Sequence, residues 1–333
     1  MKVFGRKSRE QPFLSIVIPL YNEEESILPL YKSINEVCET MEGQHEIIFV
    51  DDGSQDQTFR ILRSIHDTDS RVKVLRFRRN AGQTAAMAAG FEVACGEVIV
   101  SMDGDLQNDP GDIPSLVSLL RQDLDVVCGW RVDRQDKLVS RKIPSRIANW
   151  IIRVMTGVPI HDNGCSLKAY RSCVIKNVAL YGELHRFIPA MATLAGARIA
   201  EIPVHHHARR FGKSKYGIGR VWRVALDIIT VKMITGFGSR PGLWFGGMSF
   251  PFLAMGGGLL LGGGTWLVGE SLQEWMVIST VAFLLLFLGV HLVALGTLGE
   301  LIMKTSSVVP YLSYTGVSRS RGKEEWCNHS DVE

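Results

Sequence analysis

Short apolar runs rich in β-branched residues punctuate the first part of the chain: LSIVIP (14–19), EIIFV (46–50), VKVLRF (72–77), EVIVSM (97–102) and DVVCG (125–129). Stretches with helical spacing separate them. This alternation predicts a mostly parallel sheet joined by crossover helices, and in sheets of that kind ligands bind beyond the carboxyl ends of the strands. The polar motifs sit at those ends: YNEEE after the first strand, DDGSQDQT after the second, RRNAGQT after the third and DGDLQ after the fourth. These strand ends are expected to converge on one rim.

The later chain changes period and then loses polarity. From Leu138 to Met155, Val139, Ile143, Ile147, Ile151 and Val154 recur at helical spacing, with Arg141, Lys142, Arg146 and Arg153 on the rest of the turn. That is the pattern of a helix lying on a membrane surface; a helix packed on the sheet is the alternative. A second, more apolar amphipathic helix is expected over 219–240. Residues 243–268 carry no charge, and 276–300 hold only His291 before Glu300, so each exceeds the ~20 residues needed to cross a bilayer. The connection GESLQEW lacks Lys and Arg, whereas Lys232, Arg240, Lys304, Arg319, Arg321 and Lys323 flank the pair. Lys/Arg bias therefore predicts both termini on the cytoplasmic side. Gly258 and Gly262 are read as a helix-packing surface, including one between subunits of a homo-oligomer. His291 is either functional or hydrogen-bonded between helices.

With 333 residues, 46% of them hydrophobic, the chain can hold one sizeable domain plus its membrane segments. A formal net charge of only +3 gives a nucleic-acid role no electrostatic support. The six cysteines show no Cys-x-x-Cys spacing, which fits reduced thiols rather than a zinc site or a disulfide frame. The first apolar run, Leu14–Leu20, is short and broken by Pro19, unlike a signal peptide, so the large domain is expected to stay inside the cell.

The stretch VSMDGDLQNDP (100–110) drives a buried-type strand into three aspartates. Asp103 and Asp105, one residue apart at a strand end, can share a divalent cation whose charge relieves their repulsion. Hard oxygen ligands favour Mg²⁺ or Mn²⁺, completed by substrate phosphates. Gln107 can add an oxygen or order a water, and Asp109 before Pro110 reads as a turn residue or helix cap. Asp51 and Asp52 are candidate acceptors for nucleobase or ribose donors, whereas Asp56 and Thr58 read equally as caps of the next helix. RRFGKSKYG places Arg209, Lys213, Ser214 and Lys215 on a glycine-hinged loop suited to close over phosphates; a solvated basic loop or an anionic-lipid contact is the alternative. The consecutive His205, His206 and His207 alternate faces on a strand and do not readily converge on a metal.

In chain order, IPLYNEEESI, VDDGSQDQT, RRNAGQTAAMAAG, DGDLQNDP, DNGCSLKAYR, HRFIPA and FGKSKYG resemble the inverting family-2 glycosyltransferases of GT-A fold. Within them the chain is similar to the polyprenyl-phosphate sugar transferases, relatives of dolichol-phosphate mannose synthase. The resemblance covers about residues 13–220 and extends to the two-span tail typical of bactoprenol-phosphate glucosyltransferases. It implies an α/β, Rossmann-like GT-A catalytic domain over 13–218, amphipathic interface helices, two C-terminal transmembrane helices, and tails at 1–12 and 301–333. It also implies that Pro19, Tyr21, Glu23 and Asp52 contact the nucleoside, that Arg79 and Gly82 flank it, and that Asp103, Asp105 and Gln107 hold the metal and diphosphate. Arg209, Lys213, Ser214 and Lys215 would close on phosphates. His185 and Arg186, with Lys215, are candidates for the acceptor phosphate, the first two being equally readable as structural. Gly104 stands where relatives often carry Ala, a departure expected to matter little.

The expected activity is transfer of a hexose onto polyprenyl (undecaprenyl) phosphate at the cytoplasmic face of a bacterial inner membrane. Glucose from UDP-glucose leads, with mannose from GDP-mannose as the alternative. A lipid monophosphate has a second pKa of about 6 and brings its own nucleophile, so Asp162 is expected to position the acceptor or Lys168 rather than remove a proton. A non-catalytic nucleotide-sugar scaffold would lack the acidic pair or the basic loop, and a processive synthase would need a Gln-x-x-Arg-Trp segment that is absent.

Overall fold

The computed structural model describes residues 12–132, 149, 152–154, 157–178, 180, 182, 184–194, 196–208, 241–266 and 272–305. Among them, β1 (Leu14–Leu20), β2 (His45–Asp51), β3 (Val72–Arg76), β4 (Val98–Ser101), β5 (Val126–Trp130), β6 (Lys168–Arg171) and β7 (Ile199–Pro203) form one sheet in the order β3-β2-β1-β4-β6-β5-β7. The pairs β1–β2, β1–β4, β2–β3 and β5–β7 are parallel. β6 runs against both neighbours, pairing Lys168 with Ser101 of β4 and with Cys128 of β5. The five apolar runs therefore are strands of a mostly parallel sheet. β6 and β7 carry no such run: KAYR is short and polar, and IAEIP is half-buried at an edge.

Burial on both faces explains the unbroken apolar runs, since crossover helices cover each side of a parallel sheet. Ile16, Ile18, Phe49 and Val100 point into one core with α1 (Ile27–Cys38), α2 (Thr58–Thr68) and α4 (Ile113–Leu120). Val17, Ile48, Val50 and Ile99 point into the other with α3 (Gln83–Val93) and α6 (Ile188–Leu194). Between β6 and α6 lies the single turn α5 (Ser172–Ile175). Phe49 is wholly buried, and truncating such a side chain to Ala costs about 3–5 kcal/mol. No disulfide joins the described cysteines.

α7 (Pro241–Trp266) and α8 (Leu272–Thr305) form a separate compact unit. Both are long and apolar enough to cross a bilayer over Pro241–Gly262 and Trp275–Ile302, and only 11% of each apolar window is buried. A soluble core helix would hide that surface; here Phe250, Leu261 and Phe287 are among the side chains left outside. The helices approach closely where Gly256 faces Leu286 and Gly289 faces Leu253. A Cβ at Gly258 or Gly262 would meet nothing, so this pair does not serve the contact between α7 and α8. His291 is exposed and stacks on Phe287, ring centroids 6.0 Å apart. The expected amphipathic helix over 219–240 lies outside the described residues, as does that over 138–155 apart from 149 and 152–154.

Candidate active site

The loops after β1 and β2 are laced together at the carboxyl edge of the sheet. Asn22 N–H donates to Ser54 Oγ at 2.9 Å while Asn22 Oδ1 accepts from Gln55 N–H at 2.8 Å. Glu23 N–H donates to Thr58 Oγ1 at 2.9 Å, and Glu24 Oε2 accepts from Gln57 N–H at 2.8 Å. Asp56 accepts from Thr58 N–H at the start of α2, the local role that competed with a ligand role in the sequence. Pro19, Tyr21 and Glu23 are half-buried along the β1 end of this brace.

Asp52 is buried and spends both carboxylate oxygens on the loop after β3, accepting from Ala81 N–H at 2.7 Å and Gly82 N–H at 2.9 Å. Burial pushes its carboxyl up, with the two amides pulling back. Next to it Gly53 has a φ of +71°, and a Cβ there would lie 2.6 Å from the Arg79 carbonyl carbon. Only glycine allows this turn to touch the 79–82 loop, whose Arg79 is itself exposed. Asp52 thus sets the loop that carries Arg79 and Gly82.

Asp103 follows β4 and is braced from two elements. Its Oδ1 accepts from Gln83 Nε2 at 2.7 Å, and its N–H donates to Ser166 Oγ at 3.1 Å, which also accepts from Asn108 Nδ2 at 2.8 Å. Asp105 is buried, and its Oδ1 accepts from Gln107 N–H at 3.2 Å across Leu106, which adopts φ 60°. A leucine in the left-handed region costs roughly 1–2 kcal/mol, so the surrounding contacts hold the turn in place. Burial first, and then the neighbouring charge of Asp105, push the Asp103 carboxyl up to about 6. Two carboxylates and an amide oxygen are hard donors that fit Mg²⁺ or Mn²⁺. Among the described residues no three His, Cys, Asp or Glu side chains gather as a metal cage, so a cation on this pair needs further oxygens from substrate.

Gly104 is packed more tightly than expected. A Cβ there would collide with Leu20 Cδ2. An alanine would have to move the tip of that flexible side chain, so the departure from Ala acts through packing rather than coordination.

The far side of the rim comes from the entrance to β6. Asp162 is buried and gripped by Arg131, with Nε to Oδ2 at 2.7 Å and Nη2 to Oδ1 at 2.9 Å, while its own N–H donates to Glu201 at 2.9 Å. Lys168, 3% exposed, donates from Nζ to the Asn163 carbonyl at 3.2 Å. A small cavity of about 40 Å³ is lined by Gln83, Asp103, Ser166, Lys168, His185 and Arg186, among others. Nδ1 of buried His185 lies 2.7 Å from Thr84 Oγ1 on α3. Asp103, His185 and Arg186 therefore share one space, and Asp105 and Gln107 lie on the adjoining turn. Arg209, Lys213, Ser214 and Lys215 lie outside the described residues.

The three histidines alternate exposed, buried, exposed. His205 Nδ1 meets Asp112 at 2.8 Å, and His207 Nε2 meets Asp109 at 2.9 Å. His207 N–H donates to the Gln107 carbonyl at 2.8 Å. They strap the chain after β7 to the acidic loop. Asp109 also caps a short 3₁₀ turn, accepting from Gly111 N–H at 2.8 Å.

The model of glycosyl transferase family 2 matches residues 15–182, spanning all of these elements up to β6 and α5. The chain belongs to glycosyl transferase family 2. This glycosyltransferase is 44% identical over 298 residues to the dodecaprenyl-phosphate galacturonate synthase of Rhizobium johnstonii, covering 88% of each chain. It is 36% identical over 330 residues to the undecaprenyl-phosphate 4-deoxy-4-formamido-L-arabinose transferase of Yersinia pestis, covering 96% of this chain and 97% of the relative. Among solved structures, glucosyl-3-phosphoglycerate synthase from Mycobacterium tuberculosis, in complex with Mn²⁺, UDP and phosphoglyceric acid, superposes with a TM-score of 0.52 at 18% identity, covering 67% of this chain and 78% of that one. The shared fold of the glycosyltransferase is thus GT-A.

Sequence reasoning missed Gln83, Ser166 and Arg131 as partners of the predicted residues. Gln83 and Ser166 lie within the motifs quoted above, but Gln83 reaches Asp103 from the start of α3, and Ser166 does so because β6 runs antiparallel to β4. Arg131 directly follows β5, and the rule that polar residues at strand ends face the site would have found it.

Proposed function

We propose that this glycosyltransferase transfers a sugar from a nucleoside-diphosphate donor to a polyprenyl phosphate. The observation that carries the reading is that the two relatives above, each matched over most of its length, are both named for a polyprenyl phosphate yet for different sugars. Acceptor class is the common factor. The donor sugar is accordingly left broader than the glucose expected from sequence, and UDP-glucose and GDP-mannose join galacturonate and 4-formamido-arabinose donors in the screen.

In this reading the brace formed by Pro19, Tyr21, Glu23 and the Asp52-set loop with Arg79 and Gly82 takes the nucleoside. Asp103, Asp105 and Gln107 would hold Mg²⁺ or Mn²⁺, which when bound neutralises charge on the departing diphosphate. Arg209, Lys213 and Lys215 supply further cations to it, and Ser214 a hydroxyl donor. An oxygen of the acceptor phosphate attacks the anomeric carbon as the bond to the diphosphate breaks; the nucleoside diphosphate leaves with the electron pair, and configuration inverts. No proton has to be removed from a dianionic phosphate, which agrees with an Asp162 whose oxygens are both engaged by Arg131. α7 and α8 anchor the chain in the bilayer, with both termini and the catalytic domain on the cytoplasmic side.

The test is a donor screen with the detergent-solubilised full chain, Mg²⁺ or Mn²⁺ and undecaprenyl phosphate. Label from one nucleotide sugar is expected in the organic phase. Label that stays aqueous with every donor, while UDP or GDP still binds, would favour the non-catalytic scaffold.

A further inference from the structure

Among the described residues, Lys168 is a buried cation with no carboxylate in ion-pair contact. It is 3% exposed, starts β6 beside Ser101 and Cys128, and its one hydrogen bond among the described residues goes to a neutral carbonyl, that of Asn163, at 3.2 Å. An ammonium carries three donor protons, and burying one with so little compensation is costly. The other buried cation of the site, Arg131, already has Asp162. Lys168 instead lines the cavity shared with Arg186, His185 and Asp103.

That cavity has the size and chemistry of a headgroup pocket. At about 40 Å³ it is far below the ~300–1,000 Å³ of a pocket that engulfs a whole small molecule. Its lining brings two cations, Lys168 and Arg186, against one carboxylate, Asp103. Once a cation sits on the acidic pair, the excess of positive charge grows. Lys168 comes from a strand and Arg186 from a 3₁₀ turn, so two independent elements aim cations into one small space. A compact oxyanion answers both.

We propose that Lys168, with Arg186, forms the seat of a phosphate group beside Asp103, and that the phosphate is that of the polyprenyl acceptor. Lys168 then has a binding role of its own, rather than being a residue that Asp162 merely positions. The donor diphosphate is the other source of the same chemistry. The inference rests on the acceptor class proposed above.

The experiment uses the full chain in detergent with Mg²⁺, comparing wild type, Lys168→Met and Arg186→Gln. KM for undecaprenyl phosphate is measured at saturating donor, and Kd for UDP by calorimetry. The expected result is a rise of at least about tenfold in acceptor KM for each variant, as for a lost charged hydrogen bond, with UDP affinity within about twofold of wild type. Lys168→Arg should recover part of the loss. If UDP binding weakens as much as acceptor binding, the seat belongs to the donor; if neither changes, Lys168 is structural, and either result overturns the proposal. Should Lys168→Met fail to fold, seen as the loss of a cooperative thermal unfolding transition, Arg186→Gln decides alone by the same criteria. A wild-type protein that uses no polyprenyl phosphate at all sinks the proposed acceptor itself, which is a different failure from variants that use it as well as wild type does.

Discussion

Arg131 holds Asp162 through both carboxylate oxygens, at 2.7 and 2.9 Å, in a pair that is nearly enclosed. Fork-on-fork pairing of this kind fixes direction as well as charge. Its consequence is that a carboxylate expected from the sequence to position the acceptor or Lys168 serves as the counter-ion of Arg131. Burial and pairing act on Arg131 in opposite senses, and the carboxylate wins, holding the guanidinium above its ordinary range.

Asp162→Asn should therefore act on the fold more than on the chemistry. Removing one partner of a buried pair costs about 3–5 kcal/mol, read as a lower midpoint in thermal or urea unfolding. Turnover should fall but persist, with the acid limb of the pH–rate profile still set by the second ionisation of the acceptor near ~6. Complete loss of turnover with both substrates still bound would instead assign Asp162 a proton-transfer role.

Metal binding should depend on pH through Asp103. Its carboxyl is raised to about 6 by burial and by Asp105, and a cation binds the ionised form, so protons compete below that point. Mn²⁺ affinity, titrated calorimetrically without acceptor, is expected to be level above pH ~7 and to weaken by up to about tenfold per unit below ~6. Asp105→Asn should shift this onset to lower pH while weakening the plateau affinity. Stability of the metal-free protein moves the opposite way: the folded state binds the extra proton between ~4, the unfolded value, and ~6, so this group makes stability fall as pH rises through that window and adds no slope above it.

The donor side should respond to Asp52 without any change in the acidic pair. Asp52→Asn replaces one acceptor oxygen with a donor facing Ala81 or Gly82 N–H, leaving a backbone amide unsatisfied at a cost of about 1–3 kcal/mol. UDP affinity should drop by roughly tenfold or more, with acceptor KM little altered. Gly53→Ala should have the same signature, because its positive φ and its contact with the Arg79 backbone leave no room for a methyl group.

At Gly104 the expected effect is smaller. Gly104→Ala forces only the tip of Leu20 aside, which puts the cost at the low end, about 1 kcal/mol, of the overpacking range. Pairing it with Leu20→Val, which makes room, should recover part of the lost unfolding midpoint; no recovery would place the strain in the backbone instead.

The sheet was legible where physics writes it as composition. β1, β2, β3, β4 and β5 announce themselves because both faces are covered, as with Ile16 and Val17 entering opposite cores. β6 escaped because its four residues include a buried lysine and its direction is set by pairing with Ser101 and Cys128, which no local pattern encodes. The acidic pair was visible as like charges at a strand end. The partnerships of Asp103 with Gln83 and of Asp162 with Arg131 were not, since each joins residues separated by 20 and 31 positions. Asp52 was visible as a carboxylate but not as a loop anchor, a role that only the position of the 81–82 amides reveals.

The reversed course of β6 also bears on how much change the rim could tolerate. Because Lys168 enters β6 opposite Ser101 and Cys128, the residues just before it, Asp162 and Ser166 among them, arrive at the ends of β4 and β5, where they hold Arg131 and the Asp103 backbone. A substitution at the entrance to β6 is therefore felt at the acidic pair as well as in the sheet.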